Sequence, residues 1–332
     1  MKIAVAGFGF MGVTHTINIL KHPDLELVAI VDKFPENIRK NLSAQIGNFS
    51  TGSVGEDVIS QVAVYTSLAD CLAKETPDAC VISVHTDLHF ELTMMALEAG
   101  VHVFLEKPFS LSTDEAGKMA GFAREKGLLL MIGHVVRFMP AYLQLKNWID
   151  SGEFGKLRFL SLSRFSGLPA WGQWKEKRNA GGSSGGALFD LLIHDIDYAQ
   201  WVLGSPTTVR SSCIPGELSD YDYINALWEY DSGLMVKVEG GNIFHTAFPF
   251  QAGFFARFER RSVSWSSQFA ENIKVADDTE ITLVPVEDAN LGFSGELDYF
   301  TRCVRLNEKP VLCTPESAIS TLELCFRHAG KE

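Results

Sequence analysis

No stretch of this 332-residue chain approaches the roughly 18 consecutive apolar residues of a membrane-crossing helix, so no membrane span is expected. Basic charge is short too: 29 Lys and Arg stand against 41 Asp and Glu, a formal net charge of -12, with no Lys/Arg stripe. A chain so charged has nothing to neutralise a run of phosphates, which argues against nucleic acid as a partner. Cysteine is sparse, and Cys71, Cys80, Cys213, Cys303, Cys313 and Cys325 show neither Cys-x-x-Cys nor Cys/His ligand spacing. Reduced thiols in a cytoplasmic protein are expected, with no disulfide framework and no metal. The apolar N-terminus lacks the marks of a signal peptide, being interrupted by glycines and followed by no small-residue cleavage site. There is no internal repeat, which excludes solenoids and propellers.

What is present begins at residue 7. The apolar run Lys2 to Ala6 leads into Gly7-Phe8-Gly9-Phe10-Met11-Gly12, and Asp32 closes the next apolar run, Leu25 to Val31. Strand, Gly-x-Gly-x-x-Gly, helix, strand and acid is a dinucleotide-binding signature. The glycines allow a tight turn and close backbone approach, helix amides receive the pyrophosphate, and the carboxylate takes the adenosine ribose hydroxyls. Asp32 favours NAD over NADP, because a carboxylate about 4 Å from a 2'-phosphate is repelled by several kcal/mol at an effective dielectric near 20. The exposed Lys33 beside it returns about 1 kcal/mol at most.

Up to Gly133, short apolar runs (Ala63 to Tyr65, Ala79 to Val84, His102 to Lys107, Leu128 to Ile132) alternate with helical patterns (Leu68 to Lys74, Leu88 to Ala99, Thr113 to Lys126). The expectation is a doubly wound parallel α/β sheet over residues 1–133, with Ser112-x-x-Glu115 as a capping box. Residues 134–332 read as an α+β domain with a large, mostly antiparallel sheet that binds substrate and another subunit. Its candidate strands are Lys156 to Arg164, Thr207 to Ile214, Ile224 to Tyr230, Leu234 to Gly240, Phe250 to Glu259 and Ile281 to Val286, with a hairpin turn at Asp231-Ser232-Gly233. Ala141 to Asp150, Ala187 to Leu203, Glu296 to Leu306 and Pro315 to His328 read as helices. The Phe-rich run from Phe244 to Phe258 suits either an oligomer contact or an internal core.

In an open α/β sheet ligands sit beyond the carboxyl ends of the strands, which draws attention to Lys107, followed by Pro108. Its ammonium can hydrogen-bond a substrate hydroxyl and stabilise an alkoxide, although the residues alone fit a solvated strand-end lysine equally well. In the helix from Ala187, spacing i, i+4, i+7 puts Asp190, His194 and Asp197 on one stripe, so that a carboxylate can orient an imidazole base. A helix-surface ion pair is the plainer alternative. The chemistry these groups suit is alcohol oxidation by hydride transfer. Removing a hydroxyl proton outright, pKa near 16, to a histidine near 6.5 would cost about 13 kcal/mol, so proton removal must accompany hydride departure.

Several segments together resemble the Gfo/Idh/MocA oxidoreductases, the family of glucose-fructose oxidoreductase and inositol 2-dehydrogenase. They are the glycine turn continuing to His15, the run Val81 to His89, Ala99-Gly100-Val101-His102-Val103-Phe104-Leu105-Glu106-Lys107-Pro108, Gly133 to Pro140, and the Asp190/His194 helix. The resemblance implies an N-terminal NAD(P)-binding Rossmann domain, Lys107, Asp190 and His194 as the catalytic set, and cofactor contacts from His85, Thr86, His89, Glu106, Lys107 and Arg137 besides the glycine loop, Asp32 and Lys33. It implies a sugar, polyol, nucleotide-sugar or cyclic-diol substrate and assembly as a homodimer or homotetramer. His85 stands where the family often has proline, and Leu192 where glycine is usual, which bears on nicotinamide-ribose contacts and on substrate clearance. Trp171 and Trp174, with Gln173, Lys175 and Arg178, form a candidate stacking wall over a sugar ring, and Arg137 and His245 are further substrate candidates. The leading expectation is an NAD-dependent dehydrogenase of a sugar-like hydroxyl. The alternatives are a redox-assisted glycosidase or lyase that uses NAD transiently, and a catalytically silent sugar-sensing regulator of the same fold.

Overall fold

A computed structural model describes residues 1–43, 59–169 and 185–330. The chain forms two compact units, Met1–His134 with Phe293–Ile319, and Val135–Gly292 with Ser320–Glu332. The segment Phe293–Ile319, distant in sequence, groups with the first unit. Amphipathic periodicity reveals that a helix buries a face, not which core it buries it in.

In the first unit, β1 (Lys2–Ala6), β2 (Glu26–Val31), β3 (Ala63–Tyr65), β4 (Ala79–Ile82), β5 (His102–Glu106) and β6 (Leu130–Gly133) make a parallel sheet in the order β3-β2-β1-β4-β5-β6. This is the doubly wound order, with its switch point between β1 and β4. The central strands are apolar on both faces, as a sheet covered by helices requires: Ile3, Ala4, Val5, Cys80, Val81 and Phe104 are all buried. Among the described residues, the α-helices between the strands are α1 (Phe10–Lys21), α2 (Glu36–Ser43), α3 (Leu68–Glu75), α4 (His89–Glu98) and α5 (Thr113–Lys126). Ser112 caps α5 by accepting from the Glu115 amide, but the Glu115 carboxylate takes the Ser110 hydroxyl at 2.7 Å rather than the Ser112 amide, so only half of the expected box forms.

In the second unit, α6 (Pro140–Ser151) precedes β7 (Leu157–Gly167), and α7 (Ile193–Leu203) follows a π-helical turn at Leu188–Leu192. Strands β8 (Thr208–Ile214), β9 (Tyr223–Glu229), β10 (Met235–Phe244), β11 (Gln251–Phe258), β12 (Ser262–Ser266), β13 (Asn272–Ala276) and β14 (Ile281–Pro285) join β7 in an eight-stranded sheet, ordered β14-β13-β12-β11-β7-β10-β9-β8. Every pairing is antiparallel except β10 with β7. Strands β12 and β13 escape the sequence reading because each buries only two side chains, Val263 and Trp265 or Ile273 and Val275, between polar neighbours. The Phe-rich run divides by the pleat: Phe254 and Phe258 are core, whereas Phe255 is 62% exposed.

Helices α8 (Leu291–Leu306) and α9 (Pro315–His328) complete the chain. The end of α9 is locked to the large sheet by His328. Trp228 on β9 donates its indole N–H to His328 Nε2 at 2.8 Å, which leaves the ring proton on Nδ1 to meet Leu324 O at 2.7 Å. Burial pulls this imidazole down to about 4, consistent with a neutral ring that accepts from indole.

Candidate active site

The glycine turn is built as its sequence requires. Gly7 has φ +89°, and a Cβ there would lie 2.7 Å from Ser83 O; a Cβ on Gly12 would lie 2.0 Å from Gly7 O. Neither position accepts a side chain, and Ser83 Oγ donates to Gly7 O at 2.9 Å to hold the turn in place. Gly9, by contrast, faces open space and sits at the N-cap of α1, where no side chain caps the helix. The start of α1 is thereby left for an anion, and an acidic residue is missing from its first turn.

Asp32, at the end of β2, accepts from the Phe8 amide at 2.8 Å and from the Phe34 amide at 2.8 Å, one on each carboxylate oxygen. It is half-buried, so each oxygen keeps a lone pair for a ribose hydroxyl. These residues fit a bound NAD. Phe8 serves through its backbone alone: its ring is buried in the core with Val13, Ile17 and Ile30, and its carbonyl accepts from Asn41. The expected cofactor preference has a direct check by titration calorimetry. NADP should bind at least about 10²-fold more weakly than NAD, from the repulsion of about 4 kcal/mol at 4 Å, and Asp32→Ser should narrow that gap by about tenfold or more. Equal affinities in the unaltered protein would overturn the assignment.

The remaining cofactor candidates separate. His85 is exposed and Thr86 buried at the start of a short 3-10 turn after β4. His89 is buried, its Nδ1 facing Pro108 O at 2.9 Å and its Nε2 facing Val84 O at 3.2 Å, and burial pulls the ring below the ordinary histidine range. It therefore ties the turn after β4 to the segment after β5. Glu106 is likewise buried and engaged by His15, as described below. Lys107 differs from its surroundings: over residues 103–110 it is the single side chain that is not buried. The Lys107-Pro108 bond is cis.

In the second unit the same contrast recurs. Across residues 187–199 every side chain is buried except Asp190 and His194, four residues apart. The stripe expected to include Asp197 is broken, because the π turn at Leu188–Leu192 departs from the 3.6-residue period on which that stripe depends. Asp197 points inward, where Arg137 grips it through Nε at 2.7 Å and Nη2 at 2.6 Å, and Thr321 donates to it at 2.9 Å. Arg137, expected at cofactor and substrate, is thus a buried brace, 2% exposed.

Asp195 is held the same way by Arg164 from β7, through Nε at 2.6 Å and Nη2 at 3.2 Å. Burial raises the Asp195 carboxyl while the guanidinium opposes that rise. Two Arg–Asp forks therefore set the rotation of the helix on either side of His194. The sequence reading missed Arg164 and Ser83; nothing in their neighbours marks them, since both partners lie far along the chain. Trp171 and Trp174 lie outside the described residues, and His245 is exposed just after β10.

Residues 1–134 match the model of an oxidoreductase family with an NAD-binding Rossmann fold, and residues 142–259 match the GFO/IDH/MocA C-terminal domain. The chain belongs to the GFO/IDH/MocA family. This protein is accordingly an NAD-dependent oxidoreductase. It is 24% identical over 331 residues to scyllo-inositol 2-dehydrogenase (NAD(+)) of Bacillus subtilis, covering 96% of this chain and 91% of that protein. It is 31% identical over 209 residues to D-glucoside 3-dehydrogenase of Escherichia coli, covering 62% of this chain and 55% of that one. In fold this family member is similar to an oxidoreductase from Agrobacterium radiobacter solved in complex with NAD+, L-tartaric acid and magnesium, with a TM-score of 0.81, 17% identity and coverage of 99% and 96% of the two chains.

Proposed function

We propose that the protein oxidises a secondary hydroxyl of a sugar-like or polyol substrate, with Lys107, Asp190 and His194 as its catalytic residues. The observation that carries this reading is that those three side chains are partly exposed in segments that are otherwise buried. A polar side chain kept accessible amid buried neighbours has a use outside the core. Both relatives described above are named for oxidation of a ring hydroxyl, which supports the substrate class.

NAD, when bound, supplies the hydride acceptor. Lys107 hydrogen-bonds the substrate oxygen and stabilises the negative charge that grows on it as the carbonyl forms. His194 takes the hydroxyl proton in the same step, and Asp190 orients the imidazole for it. The products are a ketone, reduced cofactor and a proton held on His194.

The test is NADH formation, followed by absorbance, with monosaccharides, inositols, glycosides and nucleotide sugars. At least one should reduce NAD in proportion to substrate. Binding of several sugars by thermal shift with no NADH from any of them would favour a sensing role and remove the proposal.

The same reading places a second copy of the chain on the large sheet, making a homodimer or homotetramer in the cytoplasm. Phe159, Phe255 and Ile281 line one groove on that face, and Phe255 and Ile281 are 62% and 67% exposed, an apolar area suited to a subunit contact. A monomer mass by light scattering would remove this part.

A further inference from the structure

Among the described residues, one cluster brings a histidine and two carboxyls together away from solvent: His15 from α1, Glu106 from β5 and Glu296 from α8. All belong to the first unit, all are buried, and one potential ligand atom from each lies within 4.8 Å of the others. His15 Nε2 lies 2.6 Å from Glu106 Oε1, and the Lys107 amide donates to Glu106 Oε2 at 3.2 Å. Both oxygens of Glu106 are therefore engaged, one by the first helix and the other by the backbone of Lys107 itself. Phe104 packs edge-on against His15 with centroids 5.0 Å apart, and Phe300 closes over Phe104 at 5.7 Å.

Glu296 is different. It is fully buried, and neither of its carboxyl oxygens has a hydrogen-bond partner among the described residues. An ionised carboxylate in such a place would carry an uncompensated charge, whereas a protonated one avoids it. Burial, and then the neighbouring Glu106 carboxylate, hold the Glu296 proton well above the ordinary glutamate range. Among the described residues, α1 contributes His15 and β5 contributes Glu106 to the cluster, and β6, packed on Glu106 through Gly133, contributes no titratable side chain.

The geometry points to His15, Glu106 and Glu296 as a positioning unit for Lys107, in which Glu106 clamps His15 to the Lys107 amide and Glu296, buried beside that clamp, stays neutral so as not to disturb it. Loss of the Glu296 proton would set two carboxylates against each other in a dry pocket and loosen the end of β5 that carries Lys107. The inference rests on the reading of Lys107 as catalytic for its consequence in turnover, but not for its electrostatics.

A divalent ion held by the same three residues is the competing explanation. It is disfavoured because a 2.6 Å separation between His15 and Glu106 is a hydrogen-bond distance, shorter than two ligands sharing one ion adopt, and because the cluster is closed to solvent.

The test compares the NAD-loaded wild-type protein with Glu296→Gln, whose amide mimics the neutral acid. In the wild type the folded state keeps a proton that the unfolded chain releases near the ordinary glutamate pKa, so its stability falls as pH rises above about 4.5, while the variant lacks this dependence. From pH 5.5 to 8.5 the melting temperature of Glu296→Gln should gain at least about 3 °C relative to wild type. Its kcat should stay within about threefold of wild type at pH 7 and lose less on the alkaline side, whereas Glu106→Gln should lower kcat at least about tenfold with NAD affinity retained.

Parallel melting curves across that range would overturn the inference, as would a stoichiometric bound metal in the purified protein that Glu296→Gln removes. Should Glu296→Gln not fold, the infrared carbonyl band of a buried protonated carboxyl in the wild type at pH 8 decides instead, and its absence is fatal. Full activity in Lys107→Ala would defeat the catalytic reading, while the melting comparison would still judge the cluster independently.

Discussion

Replacing His194 by alanine lowers kcat by on the order of 10² to 10⁴ and leaves the affinity for NAD within about twofold. The asymmetry follows from where the parts are built. The cofactor cradle, from Gly7 to Gly12 with Asp32, lies entirely in the first unit, whereas His194 belongs to the second and lies in a segment whose other side chains, Asp190 apart, are buried. Truncating a half-buried imidazole takes away a proton acceptor without opening a large cavity, so folding and NAD binding persist. Lys107→Ala should lower kcat by about 10² to 10³, the effect of deleting one donor to a developing oxyanion. If both groups serve a single proton-coupled hydride step, the double variant will be only slightly slower than the worse single one. Multiplicative losses would separate their roles, and normal turnover in His194→Ala would end the assignment of that residue as the base.

Asp197→Ala destabilises the protein by about 3–5 kcal/mol, a fall in melting temperature of roughly 6–20 °C. The carboxylate is wholly buried and receives two N–H groups of Arg137 and the hydroxyl of Thr321, so its removal takes the bidentate carboxylate from a guanidinium that is itself only 2% exposed. Trp201, whose ring centroid lies 5.5 Å from the Arg137 guanidinium carbon, cannot replace the lost charge. Arg137→Met in the same background should recover most of the loss, because it takes away the buried cation that lost its carboxylate and keeps the apolar volume. Differential scanning calorimetry on the four proteins completes the cycle. A change of under about 1 kcal/mol for Asp197→Ala would show that the fork contributes little. Arg137→Met alone that abolished NAD binding with unchanged stability would restore Arg137 as a cofactor ligand.

These expectations show where the sequence could be read and where it could not. The nucleotide cradle was legible because its constraints act over short stretches. The demands at Gly7 and Gly12 arise within one turn, and Asp32 ends the very next strand, so a pattern of spacing carries the geometry with it. The parallel order of the first sheet was legible for the same reason: strands and helices alternate with little room for other connections. The second sheet was partly legible, and β12 and β13 were not, because their polar faces dilute the apolar signal.

The division of labour among polar residues is another matter. Residue type and helical spacing put Asp197 on one stripe with Asp190 and His194, and the π turn together with Arg137 puts it in the core. Arg137 and Asp197 are 60 positions apart, Arg164 and Asp195 are 31, and His15 and Glu106 are 91, so which charges neutralise one another is invisible along the chain. Local stereochemistry travels with the sequence because each residue carries its own backbone limits. Burial and pairing do not, because the free energy of a charge depends on the distant groups that folding brings against it, and only the assembled core shows that Lys107, Asp190 and His194 stay accessible while their acidic and basic neighbours are used to brace it.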